Sequence, residues 1–234
     1  LKDPAHKIQF PNEKGPGHIP INCGPQGTGK NVWWDTFGRI VGDEHYVCSA
    51  KPSVFFGEHA DGFVHTSIAI FDETDQTGMK DYGALMKEAS TNTHMVVNGK
   101  HVKPIKMRNV ALAGMLSNKT KPVKIDYAKE RDRRYIVATA TVKYLAPEYN
   151  THFWETLVRH LSSLEFLRCL YDYCMSIDYS QMDWKAERQK YLTKSYWNCC
   201  KSSVPSAVKF LSDLLGQIKA VAEARSIAEV DEAP

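Results

Sequence analysis

The sequence predicts an α/β chain: a parallel sheet with intervening helices up to about residue 147, followed by a smaller region of helices alone. Three observations carry that expectation. Short β-prone apolar runs alternate with stretches whose apolar residues recur at helical spacing. A glycine-rich loop joins the first apolar run directly to a helical stretch. After Pro147 the spacing changes to three or four residues throughout, with no further strand signal.

Residues 1–17 are polar, with Pro and Gly, and read as a lead-in loop. His18–Cys23 reads as a strand, although Pro20 is awkward in a central one. Gly24-Pro25-Gln26-Gly27-Thr28-Gly29-Lys30-Asn31 follows, and then Val32, Trp33, Phe37 and Ile40 at helical spacing. Ser67–Phe71 is a second apolar run that stops at Asp72-Glu73, and residues 81–89 read as a short helix. Asn98-Gly99 between β-prone flanks predicts a hairpin over Met95–Val102. Val110–Leu116 is a third run, ending at Ser117-Asn118, and Tyr135–Val142 a fourth. Phe153, Leu157, Leu161, Leu164, Leu167, Leu170 and Cys174 then predict one long amphipathic helix. A second is expected over Val208–Ala222, with Pro205 near its start. The boundaries expected are a lead-in at 1–17, an α/β core at 18–147 and a helical subdomain at 148–234.

Composition narrows the class. The chain has 234 residues, 43% apolar and 24% charged, which describes a globular chain. No run of about 18 apolar residues occurs, so no transmembrane helix is expected. The chain opens at Leu1 rather than Met, so a longer protein is expected around it, and any targeting signal outside it. Six cysteines lack paired CxxC spacing, which disfavours a zinc site or disulfide framework and points to buried thiols in a reducing intracellular compartment. The net charge is only +3, yet Met95–Lys143 carries 12 Lys/Arg against 3 Asp/Glu. Basic charge concentrated in this way suits a polyanionic partner.

Gly24-x4-Gly29-Lys30 is the P-loop pattern. Phosphate oxygens need converging backbone N–H groups that only a glycine-rich turn presents closely, and the helix N-terminus and the lysine add positive charge. Its place between a strand and a helix is the context that pattern requires. Lys30 is therefore expected to bind β/γ-phosphates, with Gly24, Gln26, Gly27, Thr28, Gly29 and Asn31 forming the cradle of an ATP site. The position after the lysine usually carries a hydroxyl for magnesium. Here it is Asn31, whose amide oxygen is able to ligate a hard cation. Asp72 at a strand end is the expected second Mg2+ ligand, and Glu73 the group that polarises the attacking water. Asn118, at the tip of the third run, carries an amide able to orient that water and sense the γ-phosphate, although taken alone it reads as a turn-forming Asn. Arg131, Arg133 and Arg134 are candidates for an arginine that serves a neighbouring subunit, or else a surface cluster.

These pieces in this order resemble a superfamily 3 helicase, the viral, phage and plasmid replicative branch of ring-forming ATPases. The nearest likeness is to the helicase half of poxvirus-type and phage-type primase-helicases. The first motif falls on Gly24–Asn31, the second on Ile68–Glu73 and the third on Ala111–Asn118; Asp132-Arg133-Arg134-Tyr135 resembles the family's arginine-finger segment. The resemblance implies an AAA+-like P-loop NTPase fold, ATP with Mg2+, and DNA-replication helicase activity in a homo-oligomeric ring, a hexamer by the family's habit. It also implies upstream primase or collar domains and a DNA-contacting hairpin. The hairpin falls on His94–Lys106, with Lys100, His101 and Lys103 gripping single-stranded DNA, RNA being the other polymer open to it. Two further readings stand beside this one: a non-helicase P-loop ATPase, and a non-catalytic DNA-binding or assembly module with a decayed ATP site. Intact Lys30, Asp72, Glu73 and Asn118 oppose the last. Trp33 and Trp34 are expected in the core, Trp154, Trp184 and Trp197 in the core or an interface, and His94 and His101 have no metal-ligand spacing.

Overall fold

β-prone runs that are apolar on both faces pair best where helices cover both sides of a sheet, and that is how this chain folds. The computed structural model describes residues 2–56, 60–73, 78–97, 103–125, 132–145, 151–210 and 212–217. Five strands form one sheet: β1 (Ile19–Cys23), β2 (Tyr46–Ser49), β3 (Ile68–Phe71), β6 (Leu112–Ser117) and β7 (Tyr135–Thr139). Their order is β2-β3-β6-β1-β7, and every pairing is parallel. A separate antiparallel pair, β4 (His94–Val97) and β5 (Ile105–Arg108), forms the hairpin.

Side chains alternate across the sheet. Ile68 and Ile70 of β3, with Leu112 and Leu116 of β6, pack with Ala5, Trp34, Phe37 and Cys174. These come from α1 (Lys2–Gln9), α2 (Lys30–Val41) and α5 (Leu164–Met175). Ala69, Phe71, Ala113 and Met115 face the other way, toward Met86 and Ala89 of α3 (Gly78–Thr91) and Tyr196, Cys199 and Cys200 of α7 (Lys194–Ser203). Gly114 is what lets Trp34 lie on the sheet: a Cβ there would stand 2.8 Å from Ile70 Cδ1 and 3.1 Å from Trp34 Cζ2. Pro20 is tolerated because β1 pairs at that residue with β7, while its register with β6 begins at Ile21.

Several expectations are corrected. The lead-in of 1–17 contains α1, of whose polar residues Asp3, His6 and Lys7 are buried with partners. Lys7 Nζ donates to Pro11 O, Glu13 O and Val110 O at 2.7, 2.8 and 2.6 Å, and Asp3 meets His18 Nδ1 at 2.8 Å. The edge strand β2 was not expected; it is short and half-exposed, so it lacks an apolar run. The long helix predicted from 153 to 174 is two: α4 (Thr151–Leu161) and α5, with Ser163 Oγ capping the second by accepting from the Phe166 N–H at 3.2 Å. Local capping overrides a continuous period there. Of the six cysteines, Cys48 and Cys169 are exposed rather than buried. Trp33 is 37% exposed, whereas Trp34 is in the core. A short helix, α6 (Trp184–Gln189), precedes α7, and the chain is helical again at 206–210 and 212–217. Among the described residues no helix is long and apolar enough to cross a membrane.

Candidate nucleotide-binding site

In a wholly parallel sheet all carboxyl ends of strands open on one edge, where side chains from distant segments meet. Gly24 follows β1, Asp72 follows β3 and Asn118 follows β6. Because β6 lies between β1 and β3, Asn118 stands between the glycine loop and the acidic pair.

The loop leaves β1 with the Gly24 N–H on Ser117 O at 3.1 Å. Gly27 and Gly29 have φ of 82° and 74°, the left-handed region that glycine adopts without strain. Gly29 caps α2 with no side-chain acceptor, and no acidic residue lies in the first turn. That helix end thus keeps its dipole uncompensated by a carboxylate, the arrangement that attracts an anion. Gln26 is exposed at the tip, and Thr28 Oγ1 donates to Pro25 O at 2.8 Å.

Lys30 is only 8% exposed. Its ammonium donates to Gly24 O at 2.9 Å, Pro25 O at 2.8 Å and Asn118 Oδ1 at 3.1 Å. Burial lowers its pKa, and the nearby Asp72 opposes that shift. Asn31 Nδ2 donates to Asp72 Oδ2 at 3.3 Å, leaving the amide oxygen of Asn31 for another partner. Asp72 is fixed from two sides. Its N–H donates to Ser49 O at 3.0 Å, and its Oδ1 accepts from the Glu73 N–H at 2.8 Å. Glu73 is exposed with φ of 51°, a strained backbone for a non-glycine residue costing on the order of 1 kcal/mol. Among the described residues no cluster of three or more His, Cys, Asp or Glu could hold a metal. Asn31 and Asp72 supply two oxygen ligands at most, which suits Mg2+, an ion that completes its shell with substrate phosphates and water.

The arginines lie elsewhere. Arg134 O accepts from the Ile19 N–H at 2.7 Å, level with the start of β1, whereas the loop leaves its end. Four strand residues at about 3.3 Å each put them roughly 13 Å apart along the sheet. Arg134 is tied down: Asp132 Oδ1 accepts from its N–H at 3.0 Å and lies 3.7 Å from Nη1. Asp132 in turn meets Lys87 Nζ at 3.3 Å, and its carbonyl accepts from Arg188 Nη2. Arg133 is exposed and forms no ion pair with a described residue. A cavity of about 1190 Å3 lies at this opposite edge rather than at the glycine loop; Arg133, Arg134, Lys185, Arg188, Trp184 and Trp197 are in its wall.

Lys100, His101 and Arg131 fall outside the described residues. Lys103 is exposed just before β5. In the hairpin, His94 pairs with Arg108 and Val96 with Lys106, so these four share one face, and all are exposed. Lys106 and Arg108 were not among the expected nucleic-acid contacts, although their two-residue spacing was the signal that would have found them. Trp154 and Leu145, which lie against the loop, carried no such signal.

The sequence profile of a family described as "Family of unknown function (DUF5906)" matches residues 23–134, from the end of β1 to the residue before β7. No curated protein matches the chain. Among solved structures it is similar to the apo C-terminal region of NrS-1 (305–718), with a TM-score of 0.67 and 18% identity over 86% of this chain and 46% of that one. An A form of the same region has a TM-score of 0.69 and 20% identity over 87% and 46%. The chain thus spans just under half the length of the solved chains it matches. These likenesses show the fold, an α/β core with a parallel sheet and flanking helices.

Proposed function

We propose that this chain is the motor domain of a superfamily 3-type helicase: it binds and hydrolyses ATP at Gly24–Asn31 and uses the cycle to move single-stranded nucleic acid. The observation that carries the reading is the convergence of Lys30, Asn31, Asp72 and Asn118 at one sheet edge, with Lys30 3.1 Å from Asn118 and Asn31 3.3 Å from Asp72. Lys30 and the N–H groups of Gly27 and Gly29 hold the β- and γ-phosphates, for which Lys30 exchanges its backbone carbonyl partners. Asn31 and Asp72 hold Mg2+, which when bound neutralises charge on the phosphates. Glu73 takes a proton from the attacking water, and Asn118 orients that water.

An arginine roughly 13 Å along the sheet serves a neighbour's site rather than its own, which supports a ring, by resemblance a hexamer. Arg133 is the free member of the pair, since Arg134 is held by Asp132. The exposed hairpin face of His94, Lys106 and Arg108, with Lys103 beside it and Lys100 and His101 in the same stretch, grips phosphates of single-stranded DNA, or RNA in the same way. Primase or collar domains on the same polypeptide belong to this proposal.

The test is ATP hydrolysis with and without single-stranded DNA, over a wide range of protein concentration, beside Lys30→Ala. Turnover that rises with DNA, rises more than linearly with protein and vanishes in the variant is the expected result. Turnover indifferent to DNA would leave an ATPase and remove the helicase; turnover surviving in Lys30→Ala would remove the site.

A further inference from the structure

Gly27 and Gly29, two of the three positive-φ glycines of the loop, each face an apolar side chain from the segment that follows β7. A Cβ on Gly29 would lie 2.9 Å from Cζ3 and 3.2 Å from Cη2 of Trp154, and one on Gly27 would lie 3.3 Å from Leu145 Cδ2. A phosphate loop uses glycine so that a ligand is able to come closer to the backbone than a Cβ allows. Here an indole makes that approach. An apolar cap thus rests on a cradle built for an anion. In the same loop, the Lys30 ammonium is turned onto Gly24 O and Pro25 O. Phe153 braces the ring edge-on, with centroids 5.3 Å apart and planes at 80°.

We propose that Trp154 is the gate of this nucleotide site. Its ring occupies ground that the phosphate chain takes, so nucleotide enters only when Trp154 leaves Gly29. The inference rests on the ATP reading above and adds to it the residue that sets affinity and entry rate. Trp154 is in the first turn of α4, which packs on α5, and α5 packs on α1 and α2.

A closed gate reduces apparent affinity by the fraction of molecules that are open. Releasing a half-buried indole from the loop corresponds to about a tenfold bias toward the closed form. Titration calorimetry with MgATP and with MgADP on wild type, Trp154→Ala, Trp154→Phe and Lys30→Ala tests this. Trp154→Ala is expected to bind about tenfold tighter, with faster entry in stopped flow, and Trp154→Phe to fall between it and wild type.

Weaker binding in Trp154→Ala overturns the gate and makes the ring a platform that holds the nucleotide. Unchanged binding overturns it too, since the ring would then not be in the phosphates' ground. If neither wild type nor Trp154→Ala binds either nucleotide, the ATP reading itself fails and the gate with it. Should Trp154→Ala not fold, the nucleotide-dependent tryptophan emission of wild type minus that of Trp154→Phe decides. A red shift on binding is expected as the indole enters water, and no difference between the two refutes the gate.

Discussion

Glu187→Gln is expected to loosen the N-terminal helix from α6. The residue is 5% exposed, and its carboxylate accepts from Lys190 Nζ at 2.8 Å and Tyr191 Oη at 2.9 Å and meets Lys2 Nζ at 2.8 Å. The ammonium groups of Lys190 and Lys2 hold the carboxyl at about 2, against an ordinary 4.5, with burial opposing them. A depression of that size corresponds to about 3 kcal/mol if undiluted. Lys190 is 67% and Lys2 33% exposed, so screening by water reduces the contribution to about 1–2 kcal/mol. A carboxyl lowered by folding contributes stability that is present above its unfolded value of 4.5 and is lost as pH falls toward 2. Urea unfolding of wild type and Glu187→Gln, at pH 7 and at steps down to pH 2, measures this. The variant should be less stable by about 1–2 kcal/mol at pH 7 with an unchanged m-value, and the gap should close between pH 4.5 and 2. No gap at pH 7, or one that persists undiminished at pH 2, refutes the electrostatic account.

Three further outcomes are expected. Asn118→Ala removes the nearer of the two side-chain acceptors of Lys30, leaving Thr28 Oγ1 at 3.5 Å; nucleotide should still bind within severalfold while ATP turnover falls about a hundredfold, and unchanged turnover would take Asn118 out of the chemistry. Lys106→Ala and Arg108→Ala should each reduce the slope of log affinity for single-stranded DNA against log salt by about one, and an unaltered slope would mean the hairpin face is not a phosphate grip. Gly114→Val drives a branched side chain against Ile70 and Trp34 and should cost about 2–3 kcal/mol, read as a fall in melting temperature of about 5 °C or more; a variant as stable as wild type would show that Trp34 is able to move off the sheet.

Much of the candidate site was legible because its signals are local. A strand, six loop residues and a helix start occupy one short stretch, and an apolar run that ends abruptly marks a strand tip at both Asp72 and Asn118. The hairpin was visible only in part: its first strand falls where the flanks of Asn98-Gly99 predict one, but the returning strand is Ile105–Arg108 rather than the residues straight after that pair, and 98–102 lie outside the described residues. What hydropathy reads poorly is polar groups that are buried with partners. Lys7 is 2% exposed because three carbonyls satisfy its ammonium, and nothing in a polar, proline-containing stretch announces those partners. The break between α4 and α5 was hidden for the opposite reason. The apolar period runs on through Ser162-Ser163, and only the cap made by Ser163 ends one helix and starts the next.

The order of residues alone establishes the chemistry available: which residues end strands, which loop is able to present converging N–H groups, and where the basic charge lies. Tertiary structure alone decided which of these meet. Asn118 reaches Lys30 across 88 residues, and Asn31 reaches Asp72 across 41, because β6 inserts between β1 and β3 in a sheet whose strands all point one way. The same parallel order sends Arg133 and Arg134 to the far edge and brings Trp154 onto Gly29. Strand order is settled by packing both faces of a buried sheet against helices distant in sequence, and no local propensity encodes it.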